Sequence, residues 1–460
     1  MMVAPLGLCW AAALAFAALD GRRRRIGWMA VAVLSIAWVL SLWLTWDVVQ
    51  HGPRSMVAGD WPAGVGIVLR LDALGALFAA LSLGVLLAAL VFEVLGGVRS
   101  RSFPALVLFL ATGLSGLFLT ADIFNFYVFF EISMIAAYVL VSYGDERRNF
   151  RAAAIFAVVN LLGSTFFLIG IAAIYHLTGR LDMDSVAQRA TIAGQAPALL
   201  AATIIFVAFS IKLGLFPFHF WLASVYTGTR PAVAAILSGA LANVGSYGLI
   251  RFGGGLLPRE LESATPVLLI IGSLSILYGG LQAISRRSIP QVLAYSTIGQ
   301  VGYILLALAI GPKAGFSAVI LISVLNALNK TLLFLSENLR GRIVGAAFVI
   351  GSFSVAGIPP ISGFLSKASL IKESVDAGYG WIVALVVVGG LLSMLYMLQI
   401  YQRFFWVPET EEEAHHPPSP VDRRILVGLL ALLIVAIGVW PQPLLALSDH
   451  AAAALAGGGR

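Results

Sequence analysis

Four ionisable side chains lie inside otherwise apolar stretches: Glu131 within Phe124–Met134, Lys212 just ahead of Leu215-Phe216-Pro217, Lys330 within Leu325–Lys330, and Lys367 behind Gly357-Ile358-Pro359-Pro360. Only five of the 29 basic residues are lysines, and three of those five are these. Arginine supplies nearly all the remaining positive charge. The difference is chemical, because arginine keeps its proton in a protein whereas a lysine withdrawn from water can release it. A lone carboxylate in hydrocarbon is costly unless it is protonated or paired. Glu131 and Lys212 therefore read as a switchable pair, whose separation pushes the lysine's proton onward. The plainer alternative is a static salt bridge between two helices, and it is weakened because desolvation offsets much of such a pair's attraction. Taken in order, Glu131, Lys212, Lys330 and Lys367 describe a lateral proton relay at mid-membrane depth.

Other polar residues group around these four. Asn326, one turn before Lys330, could hold a short water chain, and His219 could line an exit below Lys212, with an interfacial histidine as the alternative. Asp72 and Glu93, at the ends of the third apolar run, read as interfacial and stay outside the relay. The Glu411–Glu413 and His415-His416 stretch reads as a solvated loop rather than a metal site. Cys9 is the only cysteine, too few for a disulfide or an iron–sulfur cluster. No G-x-G-x-x-G fingerprint follows a strand pattern, so neither cofactor nor metal is expected, and any electrons must travel on another polypeptide.

The elements that position these residues must be membrane helices. The chain of 460 residues is 60% hydrophobic and 11% charged, with a mean hydropathy of +0.95, whereas soluble chains are about 25% charged. The net charge of +7 sits in short arginine clusters between apolar runs, which is loop patterning rather than a nucleic-acid face. A crossing helix needs roughly 20 apolar residues. Fourteen segments qualify, near 3–19, 27–46, 73–95, 104–121, 123–143, 152–176, 198–222, 231–250, 265–284, 291–311, 315–336, 344–370, 381–405 and 425–440. Alternate loops, beginning with Arg22–Arg25, carry seventeen basic residues against nine on the other side, Arg251 among the nine. By the positive-inside bias, both termini lie outside an inner (plasma) membrane. The apolar run Val3–Leu19 precedes its positive cluster, the reverse of signal-peptide order.

After three N-terminal helices (1–100), helices four to eight (101–252) and nine to thirteen (262–407) form two groups of five. Residues 408–460 supply a cytoplasmic loop, helix fourteen and an external tail. An odd offset inverts the second group relative to the first, and interrupted helices at matching places are the usual sign of such repeats. Helix seven is predicted to break at Leu215-Phe216-Pro217 and helix twelve at Gly357–Pro360, each close to a lysine. A proline frees a backbone carbonyl, tolerable in a membrane only beside protein or water.

From about Asp72 to Pro443 the chain resembles the antiporter-like membrane subunits shared by Mrp cation/proton antiporters, NADH:quinone oxidoreductases and membrane-bound hydrogenases. The resemblance rests on Ala121-Asp122-Ile123-Phe124-Asn125 through Glu131, Lys212–Trp221, Pro231-Ala232-Val233-Ala234-Ala235, Leu293-Ala294-Tyr295-Ser296, Lys330–Leu335 and Gly357–Lys367. The phenylalanine-rich run before Glu131 is most similar to the D-type subunits of Mrp antiporters. The resemblance implies proton-handling roles for Glu131, Lys212, Lys330 and Lys367, and other membrane subunits as partners. It implies a transporter subunit with no redox centre of its own. Two departures stand out: Asn243 occupies the helix-eight position where the family usually has lysine, and Asn326 replaces a histidine often found before the helix-eleven lysine. The expected function is thus proton conduction in a sodium- or potassium-coupled Mrp-type antiporter. A redox-driven pump and a subunit that has lost its path are the competing readings.

Overall fold

The computed structural model describes residues 1–61, 66–144, 146–190, 194–311, 314–406 and 421–457, so the Glu411–Glu413 and His415-His416 stretch lies outside the described residues. The chain opens with α1 (Ala4–Ala17) and α2 (Arg24–His51). A small antiparallel hairpin follows, β1 (Arg54–Val57) with β2 (Val68–Leu71), which the all-helical expectation did not include. Then come α3 (Ala73–Gly96), α4 (Phe103–Leu119), α5 (Ile123–Val141), α6 (Arg147–Thr178), the short α7 (Met183–Ala190), α8 (Gln195–Leu213) and α9 (Leu222–Gly228). The span Pro231–Leu256 comprises α10 (Pro231–Ala235), a π-helical stretch, α11 (Asn243–Gly248) and a second π-helical stretch. The remainder is α12 (Pro258–Ser263), α13 (Thr265–Ile284), α14 (Ile289–Ile310), α15 (Ala314–Leu335), α16 (Arg342–Ala356), α17 (Gly363–Asp376), α18 (Trp381–Tyr401), α19 (Val421–Val439) and α20 (Gln442–Gly457).

Helix occupies every one of the apolar segments read from the sequence. Among the described residues, ten helices are long and apolar enough to cross a bilayer, and α19 with α20, bent by 75°, makes an eleventh candidate. Helices α1, α4 and α16 are shorter apolar helices. α20 occupies the stretch expected to be an external tail, and it packs back against α3 and α15. Helices α3, α14, α15 and the Pro231–Leu256 span are the most enclosed, while apolar side chains such as Ile135, Val158, Ile270 and Leu432 stand exposed on outer helices. An all-round apolar surface of that kind suits lipid as solvent.

Both expected breaks are present. α8 ends on Gly214 at φ +66° and helix resumes at Leu222; α16 ends on Gly357 at φ +82° and helix resumes at Gly363. A left-handed residue at a helix C-terminus is glycine's role, since a Cβ there is penalised. At Gly357 a Cβ would also come within 2.5 Å of the Lys367 Cδ. Gly378 has the same φ of +82° but no atom within 4 Å of a Cβ built on it.

Asp72 and Arg251, expected at the membrane edge and in a loop, are both buried. The second π-helical stretch, Leu249–Leu256, carries the Pro231–Leu256 span beyond its predicted end and takes Arg251 inward. There the guanidinium meets the Asp72 carboxylate at 2.7 Å and donates to the Tyr247 hydroxyl at 2.9 Å, while Asp72 caps α3 by accepting from the Gly75 N–H at 2.8 Å. The pair thus fastens the start of α3 to the end of the Pro231–Leu256 span.

Arg251→Ala strands a buried carboxylate and should cost about 3–5 kcal/mol, read as a lowered Tm of the purified protein in detergent, with Asp72→Asn/Arg251→Gln recovering part of the loss. Gly357→Ala and Gly378→Ala both incur roughly 1–2 kcal/mol of left-handed strain, but only Gly357→Ala displaces a buried side chain. The same assay should therefore rank Gly357→Ala as clearly the more damaging, and equal losses would contradict the packing described.

Candidate functional site

Lys212 lies on the last turn of α8 and reaches across to α5 and α6. Its ammonium donates to Asn160 Oδ1 at 3.1 Å, contacts Met134 Sδ at 2.6 Å, and stands 5.1 and 5.6 Å from the ring centres of Phe130 and Phe156. An amide oxygen, a thioether and two aromatic faces replace its water shell. The helix break beside it is satisfied internally, because Trp221 Nε1 donates to the Ile211 carbonyl at 3.0 Å.

Glu131 is one turn from Met134 on α5, beside Ser164 of α6, and one of its carboxylate oxygens is buried without a partner. Ser164 is itself one turn from Asn160. The carboxylate and the ammonium therefore occupy adjacent levels between the same two helices, roughly one 5 Å turn apart, and no ion pair within 4.0 Å joins them. The two residues expected to pair share one cluster without an ion pair between them.

Lys330 is fully buried and donates to the Leu293 carbonyl of α14 at 2.8 Å, an oxygen that also accepts from the Thr297 hydroxyl. The amide oxygens of Asn326 and Asn329 are buried nearby on α15 without partners, which suits bound water. Lys367, on α17, donates to the Ala356 and Val355 carbonyls at 2.7 and 3.1 Å, the free carbonyls at the end of α16. A helix C-terminus carries partial negative charge and is a natural seat for an ammonium. The Tyr303 ring centre of α14 lies 5.3 Å from the same nitrogen. Lys212 thus precedes its helix break and Lys367 follows its own.

α14 therefore touches both Lys330 and Lys367. Along the face between them lie Ser296, Thr297 and Gln300, with Tyr396 of α18 donating to Ser296 Oγ at 2.9 Å. The signal for this face is polar residues at helical spacing through an apolar run, of which only Ser296 falls within a motif of the sequence analysis. Asn243 stands between two glycines at which the Pro231–Leu256 span closes on its neighbours: Gly245 against Leu213, next to Lys212, and Gly239 against Thr331, next to Lys330. Its side chain donates back to the Gly239 carbonyl at 2.7 Å. His219 lies inside the α8–α9 break, its ring 4.5 Å from that of Tyr278 on α13 and its Nδ1 buried without a partner. It faces α13 rather than Lys212. Among the described residues no group of three or more His, Cys, Asp or Glu side chains could hold a metal ion.

A family profile described as "NADH:quinone oxidoreductase/Mrp antiporter, TM" matches residues 120–342 and 338–393. The chain is 32% identical over 430 residues to the D-type subunit of the Na(+)/H(+) antiporter of Alkalihalophilus pseudofirmus, covering 88% of this chain and 87% of that one. Its fold superposes on a chain of the Mrp complex from Dietzia sp. DQ12-45-1b with a TM-score of 0.90 at 27% identity, covering 99% and 98% of the two chains. It also superposes on a chain of an archaeal respiratory complex, the membrane-bound sulfane sulfur reductase, with a TM-score of 0.87 at 26% identity, covering 100% and 97%. A multi-pass helical chain matched over this much of its length belongs to the family of NADH:quinone oxidoreductase and Mrp antiporter membrane subunits.

Proposed function

We propose that this chain is the proton-conducting membrane subunit of a multi-subunit Mrp-type antiporter, exchanging sodium or potassium ions for protons. The observation that carries the reading is the treatment of the three lysines. Each is buried, none has a carboxylate within 4.0 Å among the described residues, and each is held by neutral oxygen, sulfur or aromatic groups. Such surroundings tolerate both the charged and the neutral amine, which a proton carrier needs and a structural ion pair prevents. Protons pass from the Glu131–Lys212 cluster past Asn243 to Lys330, and along α14 to Lys367. Asn243 cannot titrate, so the step between the two halves runs over water. The name of the 32%-identical relative supports sodium as the coupled cation. The two groups of five helices, 101–252 and 262–407, serve as inverted repeats around this line. The chain resides in a bacterial plasma membrane with both termini outside, and the neighbouring membrane subunits are its partners.

The likeness to the archaeal respiratory complex supports a second reading, in which a redox partner drives the same proton path. Purification in mild detergent separates the two. Small membrane subunits alone mark the antiporter, whereas co-purifying flavin or iron–sulfur subunits mark the pump.

In everted vesicles, Lys212→Ala should cut sodium- or potassium-dependent collapse of ΔpH by about tenfold or more, with the complex still assembled on purification. Lys212→Arg, whose charge cannot be released, should fail to restore it. Exchange at the wild-type rate in either variant contradicts the relay.

A further inference from the structure

At one end of the bundle the loop after α3, the starts of α6 and α10, the turn after α15 and the start of α19 enclose a polar cavity of about 340 Å³. Among the described residues its walls carry two carboxylates, Glu93 and Glu337, and four guanidinium groups, those of Arg99, Arg148, Arg230 and Arg423. None of the residues in the Glu131–Lys367 line contributes to it. Glu93 is buried on α3 and accepts from the Tyr143 hydroxyl at 3.2 Å. The arginines are held by other means: Arg423 donates to the Phe92 carbonyl at 2.7 Å, Arg230 stacks 5.2 Å from the Tyr143 ring, and Arg148 pairs with Glu146 at 2.7 Å. Among the described residues, neither Glu93 nor Glu337 forms an ion pair within 4.0 Å with any of the four.

Glu337 lies in the turn that follows α15, seven residues beyond Lys330, which is about 10 Å of helix. Phe334, between them on the last turn of α15, is fully buried with its ring 5.2 Å from that of Tyr226. The cavity thus brings solvent and a carboxyl group to within two helical turns of the most deeply buried lysine of the relay.

We propose that this cavity is a second mouth of the relay, with Glu337 the carboxyl group that takes protons from water and passes them toward Lys330, where they join those arriving from Lys212. The inference rests on the reading of the chain as a proton conductor. Burial holds the Glu337 carboxyl up at about 7, and Arg148 pulls it down against that burial. A carboxyl balanced in this way both accepts and releases protons near neutral pH. The charged groups that line the cavity with it among the described residues are Arg148 from α6, Arg230 ahead of α10, Arg423 from α19, Glu93 from α3 and Arg99 from the loop after it, and Arg340 on its own turn donates to the Glu337 carbonyl at 3.4 Å.

The test uses the complete antiporter in everted vesicles, with the initial exchange rate followed against pH on the cavity side. The wild type should show an inflection near pH 7, where Glu337 titrates. Glu337→Gln should abolish the inflection and slow exchange about tenfold above it, with Glu337→Asp retaining most of the rate. Arg148→Ala removes the charge that pulls Glu337 down, so the inflection should move to higher pH by about half a unit. That variant alters an exposed side chain and reads out even where Glu337→Gln fails to assemble. An unmoved inflection in Arg148→Ala, or an inflection persisting in Glu337→Gln, overturns the assignment of this mouth. Lys212→Ala run alongside separates the two claims: lost exchange in that variant with unchanged profiles in the other two leaves the relay standing and removes only its entrance.

Discussion

An ammonium group cannot enter hydrocarbon without a substitute for its water shell, and the interior of this protein is arranged to supply three such substitutes. A carbonyl inside a regular helix already accepts one N–H and has only its second lone pair left for another donor. Breaking a helix frees carbonyls, and the α16–α17 break places two of them on Lys367. At Lys330 the Leu293 carbonyl accepts a second donor, and the oxygen then takes both an ammonium and a hydroxyl. At Lys212 an asparagine, a methionine and two rings do the same work without any backbone group. The glycines, the broken helices and the polar face of α14 all follow from this need.

The contrast with Arg251 shows what the lysines avoid. Arg251 is matched by a carboxylate at 2.7 Å and a tyrosine hydroxyl, so its charge is permanent and its task is mechanical. Lys212 has a carboxylate in the same cluster, yet Glu131 stands one turn away beside Ser164. Bringing the two groups into contact would raise the proton affinity of the lysine. In the proposed reading arginine fastens and lysine carries, and the two uses fall on different helices.

Much of this is legible in the residues. The run lengths of apolar sequence locate the helical segments, and the Gly–Pro clusters locate both breaks, because helix length in a bilayer and proline's missing N–H leave few alternatives. The placement of three of the five lysines inside apolar runs marks the candidate relay. What the residues do not disclose depends on backbone departures and on distant contacts. Arg251 reads as a loop charge because π-helical turns extend its helix past the predicted end. Asp72 reads as interfacial because its partner lies far along the chain. Glu93 does so for the same reason, and Glu337 sits in a short polar turn with nothing in its neighbours to single it out. The separation of Glu131 from Lys212 is a matter of one helical turn, finer than hydropathy can resolve. The β-hairpin and α20 fall in stretches too short or too polar to register as spans.

The central claim is that Lys212, Lys330 and Lys367 change protonation as ions move. With five lysines in the chain, a complex labelled with nitrogen-15 at lysine Nζ yields a spectrum simple enough to assign by single substitution. A sodium gradient imposed on the reconstituted complex should shift the signals of the three buried lysines between charged and neutral forms and leave Lys372, exposed and 2.9 Å from Glu373, unchanged. Three buried lysines fixed in one protonation state throughout ion exchange would contradict the account.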